Sequence, residues 1–247
     1  MIMEGFWTFF AFPLNILLAA LLAVGLVFLW MNHKQLSVAR FLLSPLATVS
    51  SICLFLVSCL WMGFSGDRDF SMSITFVLIL LYMQSVVFMI ILRGWRRSDG
   101  KIRWRFLLIH AGLLIAVGSA FWGSPDSSEL RLRLLKGQIA ETAYEMDGSI
   151  TGLKHVIELI DYSADYSSEG KPMYYEALVS VDGREPAAIT VNHPLSANIG
   201  WDIYLASISE DGCILQVVIE PWRYFALAGI IMLLAGAFML FIKGPVR

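Results

Sequence analysis

Apolar and polar positions divide this chain into two regimes. Uncharged runs occupy residues 5–32, 41–66, 70–92, 106–125 and 224–242. A helix needs about 20 residues to cross a hydrocarbon core of roughly 30 Å, and each run is of that order. An open strand would leave its backbone groups unpaired in lipid. The pattern therefore predicts five transmembrane helices, four in residues 1–125 and one in residues 222–247.

The second regime fills residues 126–221. Residues 175–181 alternate and are rich in branched side chains, and Asp182-Gly183 breaks them from the short run 188–191. Residues 201–208 alternate again, and Asp211-Gly212 precedes the run 213–219. Asp147-Gly148 stands ahead of the apolar stretch 155–160. Asp-Gly between alternating runs is a hairpin signal, because a type I′ turn needs positive φ at both central residues. Six to eight strands in a sandwich or open barrel are expected, with residues 128–138 either a short helix or a first strand. Pro221 ends the last strand, and Trp222 and Tyr224 fit an interfacial position before the final helix.

Charge orients this arrangement. The loop after the third run holds Arg93, Arg96, Arg97, Lys101, Arg103 and Arg105, the densest basic cluster in the chain. Basic loops stay in the cytoplasm. Alternation then puts Lys34, Arg40, Lys243 and Arg247 inside, and Arg68, between Asp67 and Asp69, outside. The expected topology is N-terminus out, C-terminus in, with the β domain extracytoplasmic. Residues 1–5 carry no basic side chain, so the first run is expected to be an anchor, not a cleaved leader. The β region is acidic, with sixteen Asp and Glu against six Lys and Arg. That favours solubility or a cationic partner surface. No groove-binding pattern accompanies the basic loop, so nucleic acid is not an expected partner, whereas membrane lipid is.

Overall composition agrees with a membrane protein: 57% of residues are hydrophobic and the mean hydropathy is +0.69. Cys53 and Cys59 fall in the second run and Cys213 in a predicted strand, with no C-x-x-C to hold haem, zinc or a redox pair. There is no G-x-S-x-G, H-E-x-x-H or phosphate-binding loop. Asp161 and Asp165 lie in a polar, loop-like stretch and read as solvated charge. Gly229 and Gly236, seven apart, share one face of the last helix, and Gly112 and Gly118 lie in the fourth; small residues allow close helix contact.

His110 is the one histidine inside an apolar run. Ionisable groups within a span face a bundle interior or a partner, and neutral imidazole ligates haem iron. Arg103, Leu107, Leu114 and Val117 share its face by helical spacing. A haem edge on that stripe would bring propionates to Arg103 or Arg105. A histidine hydrogen-bonded for packing is the competing reading. A six-coordinate iron would need a second ligand from another subunit, from water, or from Met83, Met89, Met232 or Met239. His193, in Asn192-His193-Pro194, reads as turn chemistry. His155 reads as surface or core filler and His33 as solvated.

Several segments resemble the ResB-type (CcsB-like) proteins of system II cytochrome c biogenesis: the histidine-bearing helix around Leu107–His110–Leu114, Asn192-His-Pro-Leu195, Gly200-Trp-Asp-Ile-Tyr204, and Leu215-Gln-Val-Val218 before a last helix. The resemblance covers roughly residue 103 to the C-terminus. It implies a subunit of a cytochrome c maturation complex that helps carry haem b across the bacterial inner membrane. There it would present haem to apocytochrome c together with a CcsA-type partner, contributing to haem attachment without catalysing it alone. The partner's tryptophan-rich segment has no counterpart here. The first run is an addition to the three spans that usually precede the domain. The alternative is a structural or assembly subunit, a docking domain on a helical anchor, that binds no haem.

Overall fold

The computed structural model describes residues 10–66, 70, 73–166, 172–209 and 211–243. The start of the first run, the Asp67–Arg68–Asp69 cluster and Arg247 lie outside the described residues. The chain divides into two units, one of residues 1–125 with 222–247 and one of residues 126–221.

The first unit is helical: α1 (Leu14–Met31), α2 (Ser37–Leu42), α3 (Pro45–Ser65), α4 (Ile74–Gly94), α5 (Trp104–Gly123) and α6 (Arg223–Lys243). Five of these are long and apolar enough to cross a membrane. The run 41–66 is one span as expected, from Pro45 on, but its first two residues close the short α2 instead. Pro45 explains the break. Proline lacks an N–H and pushes the preceding residue out of helical conformation. Ser44 accordingly takes ψ 152° and its side chain accepts the Ala47 N–H, starting α3 afresh. Ser73 does the same for α4 through the Phe76 N–H.

Several polar side chains inside the bundle bond across helices. The buried Asn15 donates from Nδ2 to the Trp122 carbonyl at 2.8 Å, joining α1 to α5. Trp122 Nε1 donates to Gln84 Oε1 at 3.0 Å, joining α5 to α4. Ser50 and Tyr82 hydroxyls, 2.8 Å apart, join α3 to α4.

The α5–α6 pair packs backbone to backbone. A Cβ on Gly229 would lie 2.6 Å from the Ala116 nitrogen and 2.7 Å from the Gly112 oxygen. A Cβ on Gly236 would meet Ile109 Cγ1 at 2.6 Å. The expected Gly229–Gly236 face is therefore real, and Gly112 opposes it. Gly118 does not take part: its space is bordered by Gln84 and Trp122.

The second unit is one eight-stranded antiparallel sheet in the order β5-β4-β3-β2-β1-β8-β7-β6. Its strands are β1 (Ser128–Leu134), β2 (Ile139–Glu145), β3 (Ile150–Tyr166), β4 (Pro172–Val181), β5 (Ala187–Thr190), β6 (Leu195–Asn198), β7 (Trp201–Ser209) and β8 (Gly212–Ile219). Two meanders, β1–β5 and β6–β8, join through a β1–β8 ladder running from Ser128↔Ile219 to Leu134↔Cys213. Alternate residues supply one core: Leu130, Leu132 and Leu134 from β1, Ile157 and Leu159 from β3, Val179 from β4, Ile203 from β7 and Leu215 and Val217 from β8. One continuous core from every part of a single sheet fits the rolled, open-barrel expectation better than two stacked sheets.

One open choice is settled and two details differ from the sequence reading. Residues 128–134 are a strand, settling the helix-or-strand choice. Asp161 and Asp165 belong to the long β3, not to a loop; they remain surface charges, and Asp161 pairs with Lys136 Nζ at 2.7 Å. Gly212 is not a left-handed turn residue but the first residue of β8, where a Cβ would strike the Leu134 carbonyl. The Asp182-Gly183 turn does follow the expectation, with φ of 53° and 69°.

Candidate functional site

The site built around His110 begins with the basic loop. Between α4 and α5 the chain forms a small hairpin in which Arg97 N–H donates to the Lys101 carbonyl and Arg103 N–H to the Trp95 carbonyl. Arg103 is the N-cap of α5. Its guanidinium donates to the Gly94 carbonyl at 3.3 Å and lies 5.0 Å over the Phe106 ring. Phe106 packs so closely on Gly94 that a Cβ there would sit 2.5 Å from Phe106 Cζ. Phe106 also stacks on the His110 imidazole, with centroids 4.0 Å apart and planes at 27°. Arg103, Phe106 and His110 thus form a column of cation, aromatic ring and imidazole along the first two turns of α5.

His110 Nδ1 lies 2.8 Å from the Phe106 carbonyl. A carbonyl only accepts, so Nδ1 carries a proton, and in the neutral form of the ring the lone pair lies on Nε2. That is the tautomer in which histidine binds a metal, with the other ring nitrogen held by a carbonyl. The donor set thus fits a haem iron approached through Nε2, with Arg103 as the cationic partner for a carboxylate. Arg105 follows on the same helix and is half-buried. Nothing in sequence spacing singled out Phe106; an aromatic residue in an apolar stripe carries no signal of its own.

The methionines considered as second ligands divide. Met89 is wholly buried among Leu26, Leu42 and Val86, and Met83 is buried beside Leu80 and Val87. Met232 packs into the α5–α6 crossing, its Cβ 3.0 Å from where Gly112 would carry one. These positions are those of packing residues. Met239 is half-buried.

The other histidines are placed by local bonds. His193 is exposed and bridges to Thr190 around Asn192, whose φ is 63°, the structural corner expected of it. His33 is half-buried, not solvated, with Nδ1 2.7 Å from the Trp30 carbonyl. His155 lies within β3. Its Nδ1 is 2.7 Å from Asp182 Oδ2 and its ring meets Trp201 edge-on at 4.9 Å. Asp182 also accepts the Val156 N–H at 2.9 Å. These two bonds, the imidazole's first, hold the Asp182 carboxyl below the usual carboxylate range. Cys213 is fully buried, and burial pushes its thiol up to about 11, which makes it a structural residue with little thiolate. No group of three or more His, Cys, Asp or Glu that could hold a metal ion occurs among the described residues.

An apolar helix bundle carrying an antiparallel β domain between two closely packed helices defines the class of protein. Within that class the chain belongs to the ResB-like family, whose model matches residues 101–223, from the basic loop through the sheet to the start of α6. A role in cytochrome c biogenesis follows from that membership. Curated proteins gave no match. Among solved structures, the chain is similar to "Cytochrome c Heme Lyase CcmF" at 14% identity and a TM-score of 0.43, covering 78% of this chain and 34% of that one. The chain thus spans about a third of that protein's length.

Proposed function

We propose that this chain is the haem-contacting subunit of a cytochrome c maturation complex in the bacterial inner membrane, working with a CcsA-type membrane partner to bring haem b to apocytochrome c. The basic α4–α5 loop lies on the cytoplasmic side and the acidic sheet domain on the extracytoplasmic side, by the distribution of Lys and Arg. The observation that carries the reading is the His110 tautomer: its Nδ1–H is committed to the Phe106 carbonyl and Nε2 is left to donate a lone pair. Haem would supply an iron for Nε2 and propionates for Arg103 and Arg105. Phe106 holds the imidazole plane and the Arg103 guanidinium in register.

Among the described residues no second histidine lies in a helix long enough to span, so a six-coordinate iron would draw its further ligand from the partner, from water or from Met239. In this reading the chain contributes one part of a shared site and acts together with its partner.

The test is the visible spectrum of the purified two-protein complex. His110→Ala weakens the b-type bands, and added imidazole restores them by occupying the vacated space. The isolated chain retains little haem. Unchanged haem content and ligation in His110→Ala, or a full low-spin spectrum from the chain alone, would overturn the assignment. In that event the chain is a docking subunit without haem.

A further inference from the structure

The hairpin between α4 and α5 holds two cations that the His110 column does not use. Residues 93–105 carry six basic side chains, and Asp99 is the one carboxylate among them. Three of the cations are occupied. Arg93 donates to the Leu43 carbonyl at 3.1 Å, Arg96 lies 4.0 Å over the Trp95 ring, and Arg103 is held by Gly94 and Phe106. Arg97 and Lys101 are exposed, and neither side chain has a partner among the described residues.

The backbone sets these two residues face to face. The Arg97 N–H donates to the Lys101 carbonyl at 2.9 Å, and the Gly100 N–H donates to the Arg97 carbonyl at 3.0 Å. Gly100 takes a φ of 81°, the left-handed position that ends a three-residue hairpin loop. Arg97 and Lys101 are therefore the closing pair, one step inside the Arg96↔Ile102 bridge. Opposed residues of an antiparallel ribbon project to the same side, and like charges so placed repel. Asp99 does not relieve them. Its Oδ1 accepts the Lys101 backbone N–H at 3.1 Å, and among the described residues it forms no ion pair with either side chain. A charge signal for membrane orientation needs no such pairing. One anion between the arginine fork and the lysine ammonium turns the repulsion into charge-assisted hydrogen bonds, and phosphate is the anion both side chains suit.

The position of the hairpin selects the kind of phosphate. It joins two helices that are long and apolar enough to cross a membrane, so in a bilayer it lies at headgroup level, where clusters of cations recognise anionic lipids. Ile102 and Trp104 beside it are 37% and 57% exposed. Trp104 is the first residue of α5, and a tryptophan at a helix end suits the boundary between headgroups and acyl chains. A free phosphate makes no use of either apolar side chain. We infer that Arg97 and Lys101 bind the phosphate of an anionic phospholipid, with Ile102 and Trp104 against its glycerol and upper acyl chain. The inference rests on α4 and α5 crossing a bilayer, as in the function proposed for the chain, and on nothing about haem.

The test is native mass spectrometry of the full chain released from detergent micelles, titrated with dioleoyl phosphatidylglycerol or dioleoyl phosphatidylcholine. The two lipids share acyl chains and a phosphodiester, but only the first is a net anion. The wild type holds one phosphatidylglycerol about tenfold more tightly than phosphatidylcholine, the worth of one charge-assisted hydrogen bond. Arg97→Gln with Lys101→Gln abolishes the preference. Arg97→Lys with Lys101→Arg keeps both charges and keeps the preference. Lys34→Gln with Arg40→Gln removes as much charge from the loop before α3 and leaves the preference intact. Each variant is first checked for unchanged thermal unfolding, and Arg97→Glu alone replaces the first pair if that pair unfolds early. Equal losses in the two glutamine pairs mean diffuse attraction to the surface and overturn the inference. So does a wild type without preference. A third arm replaces lipid with inorganic phosphate. An adduct that depends on Arg97 and Lys101 and blocks phosphatidylglycerol makes the occupant a soluble phosphate, which also overturns the inference. Haem content enters none of these outcomes, so the assignment at His110 can fail without this one, and the reverse.

Discussion

The α5–α6 crossing offers the sharpest quantitative test of how the bundle is built. Gly229→Ala adds one methyl group where ordinary contact begins at roughly 3.5 Å. The new Cβ would stand 2.6 Å from the Ala116 nitrogen and 2.7 Å from the Gly112 oxygen. Both obstacles are backbone, so no side chain can swing aside, and the helices must separate by close to 1 Å, the shortfall from that contact distance. A gap of that size forfeits about a quarter to a half of each dispersion contact along the seam. Overpacking of this kind costs about 1–3 kcal/mol. In a chain of this length that is a fall of roughly 2–12 °C in thermal midpoint. Gly118→Ala is the matched control, because its Cβ would find its nearest neighbour at 3.7 Å. It should stay within about 0.5 kcal/mol of wild type. Adding Gly112→Ala to Gly229→Ala should cost less than the two separately, since one separation relieves both clashes. Thermal unfolding in detergent, followed by circular dichroism, reads the wild type, the three single variants and the double variant. Equal losses for Gly229→Ala and Gly118→Ala would show that the crossing is not the tight contact described.

Two shorter predictions concern other elements. The Asp182 carboxyl is held below its usual range in the folded domain by His155 and the Val156 N–H. Its stabilising contribution is therefore present above the unfolded value of about 3.9 and is lost as pH falls through the folded value. Asp182→Asn, which tolerates the same positive φ, should lower the thermal midpoint at pH 6, and the gap to wild type should narrow as pH falls below about 4. A gap of constant size across that range would refute the linkage. Ser44→Ala removes the side-chain cap of α3 and should cost about 1 kcal/mol; an unchanged midpoint in the same unfolding assay would show that the cap is idle.

Much of the helical unit could be read from run length alone, because the hydrocarbon thickness sets a minimum that no buried soluble helix needs to meet. The break at Ser44-Pro45 could also have been read, since serine before proline is a helix start even inside an apolar run. The sheet was legible wherever alternation and Asp-Gly coincided, as at residues 175–183. It was less so for β1, whose Leu-Arg-Leu-Arg-Leu alternation is short enough to suit a first helical turn. Within the site, His110 stood out because ionisable groups are rare among apolar neighbours. Phe106 did not, because its role exists only through what lies on either side of it. Asn15 and Gln84 are isolated amides in separate runs, 69 positions apart, and only folding brings both to Trp122. Gly112 and Gly118 differ in role for a simpler reason: six residues of helix leave them about 120° apart around the axis, so one glycine meets α6 and the other meets Gln84.

The β1–β8 ladder has a consequence for the chain's history. Ser128 and Ile219 are direct partners, so the polypeptide enters and leaves the domain through adjacent strands whose facing Cα atoms are about 5 Å apart. A segment with neighbouring ends can be spliced into or out of a helical hairpin without disturbing either helix. The parent of this protein can thus have been a plain pair of packed helices, with the sheet acquired as a cassette at their connecting turn. In that arrangement, changes within the cassette leave the Gly112–Gly229 seam and the His110 column untouched, because their contacts lie within the helical unit.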